Sequence, residues 1–589
     1  MWPFGSGYPA LSVDQAGGPL GAKSTKSYDY IVVGGGAAGC CLASRLSEDP
    51  SVSVLVLERG RVHDTWYSRI PMISGDTTSS ATPIVRSPSA PLAGAQGQTL
   101  DVVHAEVLGG GSAVNAMLVT RGAVGDFDHW AALGHPSWDY ASLRPYFVKC
   151  EKSLSQRSEG HGYSGPLINQ TFPEYPFAVQ HRVKAAALSL GFADVGDLNA
   201  AGAPADAFAT LDAAIDHKMR RVSACHAFLP ARIACDRRQR LCICTQAVAT
   251  RIVVEGGVAV GVVFESNDES VPGAFFARAR KEVVVSCGAI GSPQLLLLSG
   301  IGPAGHLKEL NIDVVCDLPG VGAHLQDHVG LPLMYEVPRQ DTLHDIENKV
   351  WKGVLELGKY FVGLKSSIMS IPVTPIAIFA HSSHLDDKTS TVTGAGSPEV
   401  PGDNRPDLEI MPIPHWCSEP PSYKITNGVF SFLLCNVQPK SLGSVRLASS
   451  NPHARPVVEL GFLTDSADLI PLRKGVKLAL RLADAMRAQG YPMRDFQVPA
   501  SEADADLDAF ARAYLRTSYH YTSSCRMARR ADGGVVDDAL RVHGVQRLRV
   551  CDASVFPWIT SGHTMAPVLA VAEKCADLLK QETVEVRSW

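Results

Sequence analysis

The sequence of 589 residues predicts a mixed α/β fold. Three observations point there. Near the N-terminus a β-branched run passes through glycines into a helical stretch and then a second strand. Residues 249–285 read as hairpin strands, as in "TRIVVEGGVAVGVVFES", with a Gly-Gly turn at 256–257. Helical periodicity then returns in "LIPLRKGVKLALRLADAMRAQG" and in a last helix, Ala566–Lys580. Hydrophobic residues make up 46% and charged residues 19%, an ordinary globular balance with a sizeable core. The length suits roughly two to four domains or one large two-lobed chain.

In chain order, residues 1–26 are rich in Pro and Gly and read as a flexible tail. Trp2, Phe4 and Tyr8 offer apolar contacts there, but the composition favours mobility. No basic segment is followed by an apolar one, so no signal peptide is expected and a cytoplasmic location follows as the default. Tyr30–Val33 is a strand, Ala37–Leu46 a helix, and Ser51–Leu57 a second strand ending on Glu58: one β-α-β unit with parallel strands. Residues 61–105 show little periodicity and many Ser, Pro and Gly, as in a loop covering a cofactor or active site. The twenty uncharged residues of 283–302, "VVVSCGAIGSPQLLLLSGIG", are long enough to span a membrane. The Gly-Ala-Ile-Gly-Ser-Pro at their centre predicts a strand followed by a buried helix instead. Residues 385–406 are polar and rich in Pro and Gly, as in a surface loop. No internal repeat is present.

The net charge of -5 and the lack of a long basic run disfavour nucleic acid or an anionic membrane as default partners. Fourteen cysteines contain no C-x-x-C pair, so no metal site is expected. Many lie in apolar runs such as "VVVSCG", as buried thiols do in a reducing compartment.

Gly34, Gly36 and Gly39 form G-x-G-x-x-G between strand and helix. The first glycine permits the tight turn, the second lets backbone approach a pyrophosphate, and the third packs helix on strand. The unpaired N–H groups of the helix then face the phosphates. Glu58, nineteen residues beyond Gly39, ends the next strand and can accept both ribose hydroxyls. The unit binds a dinucleotide. It leaves FAD and NAD open and disfavours NADP.

The chain from about Tyr28 to Lys580 resembles the glucose–methanol–choline (GMC) oxidoreductases. The residues that carry the resemblance are spread along it. "VLGGGSAVNAMLVTRG" (107–122) resembles the first family signature, and "GAIGSPQLLLLSGIG" (288–302) matches the second at every defined position. "SWDYASLRPYF" (137–147), "DLPGVGAHLQDH" (317–328), "VHGVQRLRVCDASVFP" (542–557) and "VAEKCADLL" (571–579) are also family-like. The chain departs from the family at Glu106, where a basic residue is usual, at His324, where Asn is usual, and at Leu442, which replaces a common Arg.

The resemblance implies FAD. It also implies a Rossmann-like FAD-binding domain with a substrate-binding domain built on an antiparallel sheet. Residues 27–330 would be mostly FAD-binding, 331–540 substrate-binding, and 541–580 a return that completes the active site. The residues implied to meet FAD are Gly34, Gly36, Ala37, Ala38, Gly39, Glu58, Leu108, Gly111, Asn115, Ala116, Met117, Leu118, Val248, Asp552, Ala553 and Thr564. His520, in "SYHYTSSCRM", is implied to be the catalytic base, and His563, in "SGHTMAPVLAVAEK", its partner. Alcohol oxidation removes a hydride from carbon and a proton from oxygen, and imidazole is the side chain that takes a proton near neutrality. A second donor can hold the substrate oxygen. His161 and His328 read as structural.

The implied activity is oxidation of an alcohol group on a small organic substrate, with specialised metabolism as the expected setting and oxygen or another electron acceptor reoxidising the flavin. The alternative is a GMC-fold FAD enzyme with non-redox net chemistry, such as a cyclase or lyase. A non-catalytic flavin-binding protein is the third reading, and the intact histidine pair speaks against it.

Overall fold

The protein is described here from a computed structural model, which covers residues 7–22, 25–76, 78–394, 404–417 and 427–587. Two eight-stranded sheets organise it. In the first, strands run in the order Leu241–Cys244, Val54–Leu57, Lys26–Val33, Ala274–Val285, Val258–Ser266 and Ala247–Glu255. The first four of these pair in parallel and the last three antiparallel. Ala274–Val285 belongs to both halves. Its early residues pair antiparallel with Val258–Ser266, while Val283–Val285 pair in parallel with Leu548–Val550. A strand from the end of the chain thus completes a sheet begun at residue 26.

The expected β-α-β unit is present. The helix Ala37–Leu46 buries Ala38, Cys40, Cys41, Leu42, Ala43 and Leu46. Fully apolar strands such as Val54–Leu57, buried along their whole length, suit a parallel sheet covered on both faces. The hairpin turn at Gly256 and Gly257 has φ of 59° and 82°, the left-handed pair that a two-residue turn requires. The apolar run 283–302 divides into the end of a strand at Val285 and the helix Gly288–Leu298.

The second sheet runs Arg494–Gln497, Val329–Val337, Gly428–Asn436, Leu408–Ile413, Ile376–Ala380, Ala207–Thr210 and Ala193–Val195, with Arg516–Thr517 also on Val329–Val337. All its pairs are antiparallel except the last, Ala193–Val195 with Ala207–Thr210. The helix Leu469–Ala488 packs on it and buries Leu472, Val476, Ala479, Leu482, Ala483 and Met486.

The N-terminal segment corrects one expectation. Residues 7–22 are not a free tail. The helix Val13–Ala16 buries Val13 and Ala16, and the Gln15 side chain caps it by accepting from the Ser12 N–H at 3.2 Å. Gly18–Pro19 then pairs with Ala274–Val285, and the Tyr8 hydroxyl donates to the Leu229 carbonyl at 2.9 Å. Two buried apolar side chains and a pairing to an interior strand of the first sheet outweigh the Pro/Gly composition. In the region 61–105, Ile84–Pro88 and Asp101–Ala105 form a ribbon within an otherwise irregular loop. Of the expected surface loop 385–406, residues 395–403 lie outside the described residues; Leu385 and Ser390 are buried.

The last helix, Met565–Arg587, packs on Ala37–Leu46 and on Tyr140–Cys150. Glu573 on that helix is fully buried and accepts from Arg45 Nε at 2.8 Å and Nη2 at 2.6 Å, with Lys149 Nζ at 3.1 Å. Bidentate pairing of this kind fixes orientation. Glu573→Ala strands Arg45 in a mostly buried position, and breaking a buried pair from one side costs about 3–5 kcal/mol. Denaturant unfolding followed by flavin release should show that loss, and Glu573→Gln, which still accepts from Arg45, should show less.

Candidate active site

The dinucleotide cradle follows from three glycines with different duties. Gly34 has φ +98°, and a Cβ there would lie 2.4 Å from the Ser286 carbonyl oxygen. A Cβ on Gly39 would lie 1.9 Å from the Gly34 carbonyl oxygen, so helix and strand meet only without a side chain. Gly36 differs. It caps the helix Ala37–Leu46 with ordinary φ, and a Cβ on it would meet nothing closer than 3.8 Å. Beside it Gly111 has no atom within 4 Å of a built Cβ. Open backbone at a helix N-terminus, with N–H groups free of side chains, fits a pyrophosphate. Ala37 and Ala38 open that helix, with Ala38 buried against the core.

Glu58 ends its strand buried, as the motif requires. Its carboxylate accepts from the N–H of Gly35 and of Gly60, each at 2.7 Å, and burial pushes its pKa up to about 7. Leu108 is buried against Gly35. Val248 lies on Ala247–Glu255, where the Ala247 N–H donates to the Glu58 carbonyl. Asp552 is buried, with its carboxylate turned to the Gly288 N–H at 2.9 Å, Ser292 Oγ at 2.5 Å and the Ser554 N–H at 2.8 Å. It ties the second-signature helix to the returning strand, leaving Ala553 partly exposed beside it.

The first-signature loop is held from behind by a residue the sequence reading passed over. Arg221 is buried and donates to Ser74 Oγ at 2.7 Å, the Ser112 carbonyl at 3.1 Å and Asn115 Oδ1 at 2.9 Å. Burial lowers its pKa to about 9. Asn115 Oδ1 also accepts from the Met117 N–H at 3.0 Å, and Met117 takes a φ of +66°, uncommon for a side-chain-bearing residue. Ala116 and Leu118 flank it, with Leu118 buried. Glu106, the departure from the family, is neutralised locally. Arg59 and Arg455 lie at 3.1 and 2.5 Å from Oε1, and with His104 they hold its pKa down to about 2. Residues 107–122 contain no histidine.

The two predicted histidines come together from opposite lobes. His520 follows Arg516–Thr517 of the second sheet, and His563 precedes the helix Met565–Arg587, with Thr564 between. Their rings stand 5.0 Å apart at 87°. The His563 N–H donates to Thr120 Oγ1 at 2.8 Å. Buried Asp126 holds the preceding Ser561 through its N–H at 2.9 Å and hydroxyl at 2.7 Å. His563 Nε2 lies 3.1 Å from Oε1 of Glu409, a wholly buried carboxylate whose Oε2 has no partner among the described residues. Glu409 was not singled out in the sequence; "PDLEIMP" carries no local sign that its acid points inward.

His328, read as structural from the sequence, is hydrogen-bonded to His520. Its Nε2 lies 3.1 Å from the Thr560 carbonyl, and its Nδ1 lies 2.9 Å from His520 Nδ1. Burial brings its pKa down to about 3, so the ring is neutral. A carbonyl only accepts, so His328 carries its proton on Nε2 and offers a lone pair at Nδ1. His520 must therefore donate from Nδ1, which leaves its Nε2 with the lone pair. The His520 N–H donates at 2.8 Å to Asp327, whose carboxylate also accepts from the Thr517 hydroxyl; burial pushes Asp327 up to about 7. Burial, then His328 and His563, hold His520 well below the usual imidazole range. Tyr519 and Ser523, on either side, take φ of +61° and +68°. Such strain persists where surrounding contacts over-determine a functional segment.

One group of metal-type donors also gathers among the described residues: His344, Glu347 and His415. Its rings stack 4.6 Å apart at 8°, so their in-plane lone pairs run side by side rather than converge on an ion. His415 Nε2 is bonded to Glu347 at 2.9 Å. The cluster lies about 20 Å along the strand from Glu409.

Comparison with known proteins places the chain in a family. The GMC oxidoreductase family matches at residues 28–330 through its N-terminal part and at 439–572 through its C-terminal part. Human mitochondrial choline dehydrogenase is 33% identical over 95% of this chain and 91% of its own. A dehydrogenase of Strobilurus tenacellus is 34% identical over 95% of each chain. Among solved structures, an FAD-dependent oxidoreductase from Chaetomium thermophilum superposes with a TM-score of 0.80 at 26% identity, covering 94% of this chain and 99% of that one.

A test of the cradle needs only one substitution. Gly36→Val meets no obstacle in the chain itself, so the folded variant should lose flavin because its side chain fills the space a pyrophosphate needs. Normal flavin absorbance in a folded Gly36→Val protein would show that the phosphates sit elsewhere.

On the family matches, on relatives that align over nearly the whole chain, and on the cradle's fit to a dinucleotide, the chain belongs to the GMC oxidoreductases, FAD-dependent enzymes of alcohol oxidation.

Proposed function

We propose that the protein oxidises a CH–OH group of a small organic substrate to the carbonyl, with His520 as the base. The observation that carries this reading is the proton order set by His328, which leaves the lone pair of His520 on Nε2. Bound FAD, held by the Gly34–Gly39 turn, Glu58 and the 108–118 loop, supplies the hydride acceptor. The rest is the work of side chains. Neutral His520 receives the hydroxyl proton at Nε2 as the carbon–hydrogen bond weakens. His563, its Nε2 held by buried Glu409, donates to the substrate oxygen from Nδ1 only with both ring nitrogens protonated, and in that form it stabilises alkoxide character. Thr120 and Asp126 hold the backbone from which His563 projects. The 33% identical choline dehydrogenase and the 34% identical fungal dehydrogenase support oxidation over cyclase or lyase chemistry. Specialised metabolism and a cytoplasmic setting remain part of the proposal.

His520→Ala should keep its flavin and fold, and should lose about 10²–10⁴-fold in anaerobic flavin reduction by substrate. His563→Asn should lose less, since an amide still donates to the substrate oxygen. Stopped-flow reduction at saturating alcohol decides the matter: a wild-type rate in His520→Ala removes it as the base.

The depressed pKa of His520 gives a pH profile with a definite sign. Its base form persists as pH falls through the ordinary imidazole range around 6.5. The rate of reduction should hold there and decline only at lower pH. His328, with its pKa near 3, stays silent over this range, whereas Asp327 titrates near 7. A step near 7 that survives in the residual rate of His520→Ala belongs to Asp327; a wild-type acid limb at 6.5 that vanishes in that variant contradicts a depressed His520.

A further inference from the structure

The face of the second sheet that carries Glu409 also carries a cation with no acid to hold it. The strand pairing sets Arg516 opposite Gly330, Gly330 opposite Cys435, and Cys435 opposite Glu409. Directly opposed residues of neighbouring strands point to the same face, so Arg516 and Glu409 stand in one row of side chains. Glu409 ends its part of the row at His563, and Arg516 lies four residues before His520. Gly330 keeps the row open between them. A Cβ there would lie 3.1 Å from Arg516 Cγ and 3.3 Å from Ser518 Oγ, so the arginine stem lies across the sheet in the space a side chain at 330 would take.

Other enclosed arginines of the protein are closed by carboxylates: Arg45 by Glu573 at 2.6 Å, Arg121 by Glu151 at 2.9 Å and Arg549 by Glu282 at 2.8 Å. Arg221 lacks an acid, but four acceptors fill its donors. Arg516 meets only neutral acceptors among the described residues, the Cys417 carbonyl from Nη1 and the Tyr519 hydroxyl from Nη2 at 3.3 Å. The rest of its fork is unused. Like His520, it is enclosed by protein on nearly all sides and yet keeps accessible surface, as a group facing an internal cavity does. An enclosed charge of this kind is costly until an opposite charge meets it, and the planar guanidinium matches a carboxylate in two parallel hydrogen bonds.

We propose that Arg516 binds a carboxylate carried by the substrate, so that the alcohol oxidised is a hydroxy acid. This rests on oxidation at His520 as proposed above and names the group that selects the substrate there. Three strand spacings, roughly 14 Å, separate the backbones of Arg516 and Glu409. The two side chains take up part of that span and leave room for a short carbon skeleton or one aromatic ring between carboxylate and hydroxyl.

Three alcohols of one shape and different charge test this on the flavin-loaded, full-length protein: 4-(hydroxymethyl)benzoate, its methyl ester and 4-(aminomethyl)benzyl alcohol. Anaerobic flavin reduction should half-saturate with the acid at a concentration about tenfold or more below that of the other two. Arg516→Met should raise that concentration about 10–100-fold, the scale of a hydrogen bond to a charged group, with little change in the limiting rate and none for the ester. Arg516→Lys should keep part of the preference. 4-Methylbenzoate has no hydroxyl to oxidise and gives a readout that does not depend on His520. It should perturb the wild-type flavin spectrum at lower concentration than 4-methylbenzamide does, and lose that advantage in Arg516→Met. A wild type that treats acid, ester and amine alike overturns the proposal without any variant, and so does a preference for the acid that persists in Arg516→Met. If none of the alcohols reduces the flavin, it is oxidation at His520 that fails, and equal binding of 4-methylbenzoate and 4-methylbenzamide is then the result that removes Arg516 as a carboxylate site.

Discussion

The hydrogen bond from His328 Nε2 to the Thr560 carbonyl sets the chemistry of the site. Imidazole is ambiguous between two tautomers, and either nitrogen could carry the proton. A carbonyl removes the ambiguity because it cannot donate. Fixed at Nε2, the His328 proton fixes that of His520 at Nδ1, and the free lone pair follows. Thr560 lies three residues before His563, so the segment that orders the His520 proton also presents His563. The arrangement spans the two sheets. His328 precedes Val329–Val337 in the second sheet, while Thr560 and His563 follow Leu548–Val550 in the first.

Two buried ionisable side chains flank this assembly. Arg221 is surrounded by hydroxyl, amide and carbonyl acceptors, which satisfy its donors but leave its charge, so burial weakens its hold on the proton. Glu409 gives one oxygen to His563, and its other oxygen has no partner among the described residues. Groups of this kind cost stability unless something occupies the space beside them. One stands behind the first-signature loop and one behind the substrate-facing histidine, so both costs fall where a bound cofactor or substrate would offset them.

Much of the cradle was legible in the sequence because its determinants are local. Gly34, Gly36 and Gly39 act within six residues, and the helix Ala37–Leu46 and the hairpin at Gly256–Gly257 follow from patterns a few residues long. The histidine pair was legible through resemblance, and resemblance gives no partners. His328 and His520 are 192 residues apart, Glu409 and His563 are 154 apart, and Arg221 and Asn115 are 106 apart. Nothing in "LQDHVG" distinguishes a histidine that orders a proton from one that fills a core. The N-terminal segment misled for a related reason. Its composition is that of a tail, and its order comes from a strand more than 250 residues away.

The family matches divide the molecule in an informative way. His328 lies in the first matched stretch, and His520 and His563 lie in the second. Glu409 and the outward-facing helix Val350–Phe361 both lie between them, in residues 331–438. His520, its proton-ordering neighbour His328 and the cofactor cradle thus all lie within the stretches that match the family. Which alcohol is admitted depends on the walls and the approach. These are supplied by strands of the second sheet and by the segment that leads away from Val337. A loop-borne helix can change its exposed side chains without disturbing a hydrogen bond of the site, since its inward contacts run through Tyr360, Glu356 and backbone. Glu409 cannot, because it is fully buried and joined to His563. Glu409 is thus joined directly to His563, while the helix Val350–Phe361 meets the loop 61–76 at the Arg69 carbonyl and at the Trp66 ring.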